Sequence, residues 1–469
     1  LKKSYKVQIT NQNFLKLKYN FMCGIASTFG INENKDDVRS MIQSINHRGP
    51  DGQGFFINDL IQMGSCRLSI FDLSDKGQMP MQDKSKRFTI VYNGEIYNFK
   101  VLKKKYQLST LSNSDTEVLI ELFSKIGEKS FQELNGIFAF IIYDNLLNKV
   151  YCVRDRLGVK PLYYSNKDKK FYFCSEIKGI LNVFKKFSIN ESIVKDYLST
   201  SFYDHTKETF YKDIYQVKPG TFMVFDIKNN SHEEKNYWGL KYKKLKSDLN
   251  YIDKCFKNSL QLQQQSDTKI GLNVSSGIDS NMMMAYLDKI NNGQKNIIAN
   301  SHFYSDKEFD HRKQLDEMSS LYNWKINKLE ITSEDIINNF DDVAYYQDEP
   351  FPGINTISKH LLIKKNYFKD CKVILEGQGG DDIAAGYKYY FPLFVLDKLK
   401  NFKIFDVYKE ISSFNLKENL TLKKFLKFSI NSIRGYYEGG ASADGTVSNQ
   451  KGLLNFDLKK YKLNYKNKI

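Results

Sequence analysis

At 469 residues the chain exceeds what one ordinary hydrophobic core serves, and it reads as two domains of roughly 200 residues each. A hydrophobic content of 41% and an aromatic content of 14%, with no apolar run near the roughly 18 residues that cross a bilayer, exclude the disordered and membrane-spanning classes and leave a soluble globular protein. The net charge of +16 comes from lysines scattered along the whole chain, and no RNA- or DNA-binding motif accompanies it, so no specific nucleic-acid partner is expected.

Six cysteines (Cys23, Cys66, Cys152, Cys174, Cys255 and Cys371) show neither CxxC pairing nor metal-ligand spacing with histidine, which fits a reducing, cytoplasmic location. Residues 1–21 are Lys-rich and polar, without the apolar run of a secretory signal, and are expected to be a non-native or processed leader. Met22-Cys23-Gly24-Ile25-Ala26 follows, with Met22 the expected start. A Cys23 exposed by loss of that methionine would carry its own base, an α-amine with a pKa of about 8. Further on come a turn at His47-Arg48-Gly49-Pro50-Asp51-Gly52, a strand at Cys66-Arg67-Leu68-Ser69-Ile70-Phe71-Asp72, Tyr92-Asn93-Gly94-Glu95-Ile96-Tyr97-Asn98 after a strand, and a helix opening at Asn113-Ser114-Asp115-Thr116-Glu117. Read singly, these are a small buried cysteine, a surface arginine, a hairpin turn at Asn93-Gly94 and a helix cap at Asp115.

In this order and spacing the segments resemble the glutaminase domain of class II, N-terminal-nucleophile amidotransferases, over 22–235. That resemblance implies an αββα sandwich with Cys23 as nucleophile, Asn93 and the Gly94 N–H as oxyanion donors, and Arg67, Glu95 and Asp115 as ligands of glutamine. Each task suits its residue. Arginine can grip an α-carboxylate with two parallel bonds, Asp115 can hold the α-ammonium with help from Glu95, and an oxyanion needs preorganised donors.

Val118, Leu119, Leu122, Phe123 and Ile126 recur at helical spacing, which predicts a helix packed on a sheet. Residues 137–143 and 149–154 read as a hairpin. Arg154-Asp155-Arg156-Leu157-Gly158-Val159-Lys160 and Ser175-Glu176-Ile177-Lys178-Gly179 continue the resemblance as fold and interface residues, and the polar run 229–236 marks the expected boundary. From about 250 helices and strands alternate, which implies a parallel sheet.

Two strand-to-turn units stand out there. After the strand around Leu272, Ser275-Ser276-Gly277-Ile278-Asp279-Ser280 lets backbone N–H groups and a helix N-terminus approach an anion; no Gly-Lys-Ser/Thr follows, so it is not a Walker A loop. The second is Val373-Ile374-Leu375-Glu376-Gly377-Gln378-Gly379-Gly380-Asp381-Asp382, whose adjacent carboxylates can hold Mg2+. Two loops at the carboxyl edge of a parallel sheet are where ligands of open sheets bind.

Together the loops resemble the ATP-pyrophosphatase synthetase domain of asparagine synthetases, expected over 236–469. The resemblance implies an ATP site of Leu272, Ser275, Ser276, Gly277, Asp279, Ser280, Glu376, Gly377 and Asp381, with Mg2+ on Asp279 and Asp381. Glu349, in Asp348-Glu349-Pro350, is a further site candidate, since an acidic-Pro segment lies near that site in the family. Ser276 stands where the family has Gly, Asp382 where it has Glu, and Gln378 where some members carry Glu. No Arg-x-Pro-Phe-Leu-Asp segment follows, Gly435 to Ser448 reads as a mobile loop, and the carboxyl end is expected to be truncated or diverged. The reaction implied is ATP-dependent amidation of aspartate to asparagine with glutamine as nitrogen donor. Another carboxylate (a sugar acid or β-lactam precursor) or glutaminase activity alone are the alternatives, and a homodimer is compatible with each.

Overall fold

The structure, a computed structural model, describes residues 22–30, 36–200, 202–241, 248–293, 296–306, 309–367, 371–384, 386–387, 390–402 and 404–418, with residues 427 and 430. The expected leader and the expected loop at Gly435 to Ser448 lie outside the described residues.

The first unit consists of two six-stranded sheets face to face. One runs in the order Tyr215–Gln216, Tyr163–Lys167, Lys170–Cys174, Gly24–Gly30, Ile61–Arg67, Gly52–Ile57; the other runs Ser231–Asn236, Thr221–Asp226, Lys149–Arg154, Gly136–Asp144, Phe88–Ile96, Met81–Gln82. The strand Gly136–Asp144 shows why both are buried. Ala139, Ile141 and Tyr143 enter the core between the sheets, while Phe138, Phe140 and Ile142, pointing the other way by the period of two, pack under helices. A strand covered on both faces must be apolar on both, and GIFAFIIYD is.

The outer face of the first sheet is covered by helices Asp37–Ser44 and Ile177–Phe184, through Val38, Met41, Ile42, Ile177 and Ile180. Helices Phe99–Lys105, Asp115–Ile126 and Ser130–Glu133 cover the other. Along Asp115–Ile126 the expected face is buried at Val118, Leu119, Leu122 and Phe123, with Ile126 packed at its margin. The result is the expected αββα sandwich. The expected hairpin pairs antiparallel, Ala139 with Arg154 and Asp144 with Lys149. The polar run 229–236, expected to mark the boundary, includes a strand of the first unit. Ser231–Asn236 is a fully exposed edge strand on Thr221–Asp226, polar because one side faces water, and Tyr237 enters the core beyond it.

The second unit has a four-stranded parallel sheet ordered Ile326–Glu330, Ile297–Phe303, Ile270–Asn273, Val373–Leu375. The chain steps from Ile270–Asn273 outward in one direction, then returns to its other side with Val373–Leu375. The strand order therefore reverses at Ile270–Asn273, and a crevice opens beyond the carboxyl ends of these two strands. Trp324 anchors the core beneath, fully buried, its indole N–H donating to Asp288 at 2.7 Å.

The chain has two tryptophans, one per unit: Trp238 packs against the first unit's core and Trp324 lies inside the second's. Phe131, fully buried against Phe123, Phe140 and Phe222, is expected to cost about 3–5 kcal/mol when truncated to Ala. Denaturant unfolding followed by Trp238 fluorescence in a Trp324→Phe background checks this; an unmoved transition would contradict the packing of this layer.

Candidate active site

One pocket at the end of the sandwich gathers Cys23, Arg67, Asn93, Gly94, Glu95 and Asp115. Cys23 immediately precedes the central strand Gly24–Gly30. The Leu68 N–H donates to its Sγ at 3.3 Å, and the guanidinium Nε of Arg48 donates to its carbonyl oxygen at 2.9 Å. Burial raises the thiol's pKa, and the Leu68 N–H, Lys160, Arg48 and Arg67 draw it back.

Asn93 and Gly94 are not in a hairpin turn. They lie within the strand Phe88–Ile96, where a Cβ on Gly94 would strike the Ile137 carbonyl of the neighbouring strand. Phe138, opposite Gly94, directs its N–H to the Asp155 carboxylate and its carbonyl to the Asp155 N–H. It is thus the non-hydrogen-bonded partner, and the Gly94 N–H faces the other edge, where Met81–Gln82 pairs only as far as Ile90. The Asn93 side-chain nitrogen is buried with no hydrogen-bond partner. A buried donor left open is costly unless something else completes it. Beside Cys23, an oxyanion can.

Arg67 is buried at the end of Ile61–Arg67, its Nη1 donating to the Ser74 carbonyl at 2.9 Å and its Nη2 to the carbonyls of Phe71, at 3.4 Å, and of Asp72. Both terminal nitrogens are thereby engaged by backbone carbonyls, so the expected two-bond grip on a carboxylate would compete with these contacts at Nη2. Gly77 lies against the guanidinium, and any side chain there would collide with it. Asp115 does not cap its helix; Ser114 does, its hydroxyl accepting from the Thr116 N–H at 3.1 Å. The Asp115 carboxylate turns instead to the strand, accepting from the Tyr92 hydroxyl at 2.7 Å and the Ile96 N–H at 2.9 Å. Burial pushes the Glu95 carboxyl up to about 7, with Lys160 lowering it and Asp115 raising it.

Lys160 was expected only as a fold residue, yet its buried ammonium lines the pocket, where burial lowers its pKa and Glu95 raises it. Asp155 builds the loop that carries it, its carboxylate accepting from the N–H groups of Leu157, Val159 and Lys160. The sequence signal was Asp followed closely by Gly158 at φ +69°, a tight anionic turn, but the direction of Lys160 is a tertiary fact.

In the second unit the strand Ile270–Asn273 passes into helix Ile278–Asn291, with Gly277 at the N-cap in an extended conformation. Ser280 is buried and closes this turn, accepting from the Ser275 N–H at 3.0 Å and donating to the Ser275 carbonyl at 2.9 Å, while Ser275 and Gly277 are exposed toward the crevice. Leu272 is core, with its side chain fully buried among the apolar residues beneath the sheet, so only its backbone can serve a ligand. The two loops interlock. A Cβ on Gly377 would lie 3.0 Å from the Cβ of Asp279, and one on Gly380 would collide with the Asp279 carboxylate.

Asp381 and Asp382 open the short helix Gly380–Ala384, both exposed. Mg2+ is held by one or two carboxylates together with substrate phosphates rather than by an all-protein cage, and the Asp279 and Asp381 loops, meeting at the helix N-terminus, fit such a site. Glu376 accepts from the Asn273 side-chain amide and pairs with Lys359 at 3.4 Å; Lys359 also donates to Gln378 at 3.3 Å. Nothing in the sequence pattern singled out Lys359, which comes from the distant helix Gly353–Leu362. Glu349 meets the first unit. Its carboxylate accepts the Phe210 N–H of the first unit at 2.8 Å, and beside it Asp348 pairs with Lys178 at 3.1 Å, so this segment belongs to the seam between the units.

Two outcomes are expected. Asn93→Ala should lower glutamine turnover about 10²–10³-fold with little change in KM, since the open donor acts on the developing oxyanion. An equal rise in KM would make Asn93 a ground-state contact. For Glu95, the carboxyl is neutral below about 7 and ionised above it, so its attraction for an ammonium appears as pH rises. The pH profile of kcat/KM for glutamine should rise through about 7 and lose that limb in Glu95→Gln.

Residues 22–238 match the model of the glutamine amidotransferase domain and residues 252–450 that of asparagine synthase. A putative glutamine-hydrolysing asparagine synthetase of Methanocaldococcus jannaschii is 30% identical over 409 residues, covering 81% of this chain and 78% of that protein. Glutamine-hydrolysing asparagine synthetase 1 of Bacillus subtilis is 28% identical over 385 residues, 79% of this chain and 59% of that one; amidase chry2 of Gibberella zeae is 27% identical over 378 residues, 75% and 55%. The chain thus spans little more than half the length of the latter two. With both halves matched and the first of these relatives aligned over most of its length, the chain belongs to the glutamine-hydrolysing asparagine synthetase family.

Proposed function

We propose that the chain amidates a carboxylate, most simply aspartate, taking nitrogen from glutamine and energy from ATP. The observation that carries this reading is the joint presence in one chain of a cysteine pocket with an unpaired oxyanion donor and of two interlocked glycine-acid loops at a sheet crevice. In the first unit the Cys23 sulfur attacks the glutamine amide carbon while Asn93 and the Gly94 N–H receive the oxyanion. Ammonia leaves as the thioester forms, and water then releases glutamate. With Met22 removed, the Cys23 α-amine takes the thiol proton and returns it to the departing nitrogen.

In the second unit a carboxylate oxygen attacks the α-phosphorus of ATP and displaces pyrophosphate. Ammonia then attacks the acyl carbon and AMP departs. Exposed Ser275 and Gly277 cradle the phosphates, and Asp279 and Asp381 recruit Mg2+, which neutralises the charge of the pyrophosphate. Keeping ammonia inside one protein holds it unprotonated until the acyl-adenylate is ready. A different acid acceptor is the second reading, favoured by the similarity to amidase chry2.

Cys23→Ala should abolish glutamine-dependent synthesis and spare synthesis from ammonia, whereas Asp279→Asn or Asp381→Asn should abolish carboxylate-dependent pyrophosphate release and spare glutamine hydrolysis. Pyrophosphate release with aspartate and with a panel of other acids reads both; ATP turnover surviving both aspartate substitutions would refute the loop assignment. Mass spectrometry of the active species should find Cys23 at its amino end, and full glutaminase activity with residues 1–21 retained would exclude the α-amine as base.

A further inference from the structure

The loop after Arg67 forms one wall of the glutamine pocket. Leu68, Ile70 and Phe71 line it, the Leu68 N–H touches the Cys23 sulfur, and the carbonyls of Phe71, Asp72 and Ser74 hold the Arg67 guanidinium. Asp72 organises it, accepting from the Ser74 N–H at 3.1 Å and from the Asn113 N–H at 2.9 Å, just before the helix that carries Asp115. It does so at φ +50°, a left-handed conformation that the surrounding contacts help to hold.

Those surroundings come largely from the second unit. The Asp72 N–H donates to the Asp267 carboxylate at 3.0 Å, and the Asp267 N–H donates back to the Ile70 carbonyl at 3.2 Å. The Lys372 ammonium donates to the Ser69 carbonyl at 3.2 Å and to Asp51 at 2.5 Å, while the same Asp51 oxygen accepts the Ser69 N–H at 2.8 Å. The Ile70 side chain packs against the buried cores of both units. Asp267 and Lys372 also sit at the feet of the two strands, Ile270–Asn273 and Val373–Leu375, whose far ends carry the nucleotide loops. At about 3.3 Å per residue, such short strands set the glutamine loop roughly 15 Å from the nucleotide crevice along a rigid sheet.

We propose that Asp267 and Lys372 are positioning residues for glutamine: the pocket in the first unit takes its binding shape only when the second unit holds the loop 68–74. This rests on the glutaminase reading above. Truncating either residue frees a loop whose carbonyls orient Arg67, so glutamine affinity falls, while Cys23, held through its backbone by Arg48, and Asn93 and Gly94, held in their strand, stay in place.

The test uses the full chain with Asp267→Ala, Asp267→Asn and Lys372→Met. KM for glutamine should rise several-fold to about ten-fold in Asp267→Ala and Lys372→Met, the worth of one or two hydrogen bonds, with kcat near the unmutated value. Asp267→Asn should restore it, because an amide oxygen still accepts the Asp72 N–H. Hydrogen exchange of the peptide spanning 68–77 should quicken in Asp267→Ala and not in Asp267→Asn, a reading that needs no glutamine. Unchanged exchange in Asp267→Ala, or an unchanged KM, overturns the proposal. A chain that hydrolyses no glutamine while the exchange pattern holds leaves the anchoring intact and removes only the glutaminase reading.

Discussion

The pocket hangs on a buried ion cluster. Glu176 accepts from Arg48 at 2.7 Å and His47 at 3.0 Å and pairs with Lys178, which reaches Asp348 of the second unit at 3.1 Å. Burial alone would raise the Glu176 carboxyl, yet Arg48, His47 and Lys178 hold it well below the usual carboxylate range. Arg48 in turn grips the backbone of Cys23, so this cysteine is held by a charge that has no water to fall back on. Removing one partner of such a cluster leaves an uncompensated buried charge, at a cost of about 3–5 kcal/mol. Replacement of Glu176 would therefore disturb Cys23 and the seam together.

From that constraint the division of labour follows. Antiparallel sheets buried on both faces give a stiff platform, and the pocket sits where the strands carrying Cys23, Arg67 and Asn93 end or meet an open edge. The second unit uses the opposite device: a parallel sheet whose order reverses, so that two loops rise from neighbouring strands and close on each other through Gly377 and Gly380. Glycine is needed there because Asp279 occupies the space a side chain would take. In the reaction we propose, one unit would place donors around a carbon that becomes tetrahedral, and the other would place N–H groups and carboxylates around phosphates.

Much of this was legible in the sequence because it is local. The apolar periodicity of 118–126 predicted a helix packed on a sheet, and residues 137–143 and 149–154 a hairpin, as found; the αββα layering and a nucleotide role for the turns after Leu272 and Leu375 were implied by the resemblance. What the sequence hid depends on burial and on partners far along the chain. Lys160 looked like a turn residue until the Asp155 carboxylate folded it inward. The bond from the Phe210 N–H of the first unit to Glu349 is likewise invisible in the sequence. The polar run Asn229 to Asn236 marked the expected boundary, and the exposed edge strand Ser231–Asn236 within it gave no apolar alternation to reveal it. Asp115 was given by the resemblance as a glutamine ligand, but nothing local reveals its bond to Tyr92 across the strand.

The central claim is that nitrogen released at Cys23 is delivered to an acyl group activated by the second unit of the same chain. Supplying glutamine labelled with heavy nitrogen in its side-chain amide, together with aspartate, Mg2+ and ATP, and following the label by mass spectrometry, tests that transfer directly. The account predicts that the label appears in asparagine in step with AMP and pyrophosphate. Label found only as free ammonium, with ATP unconsumed for aspartate and for every other acid supplied, would contradict it.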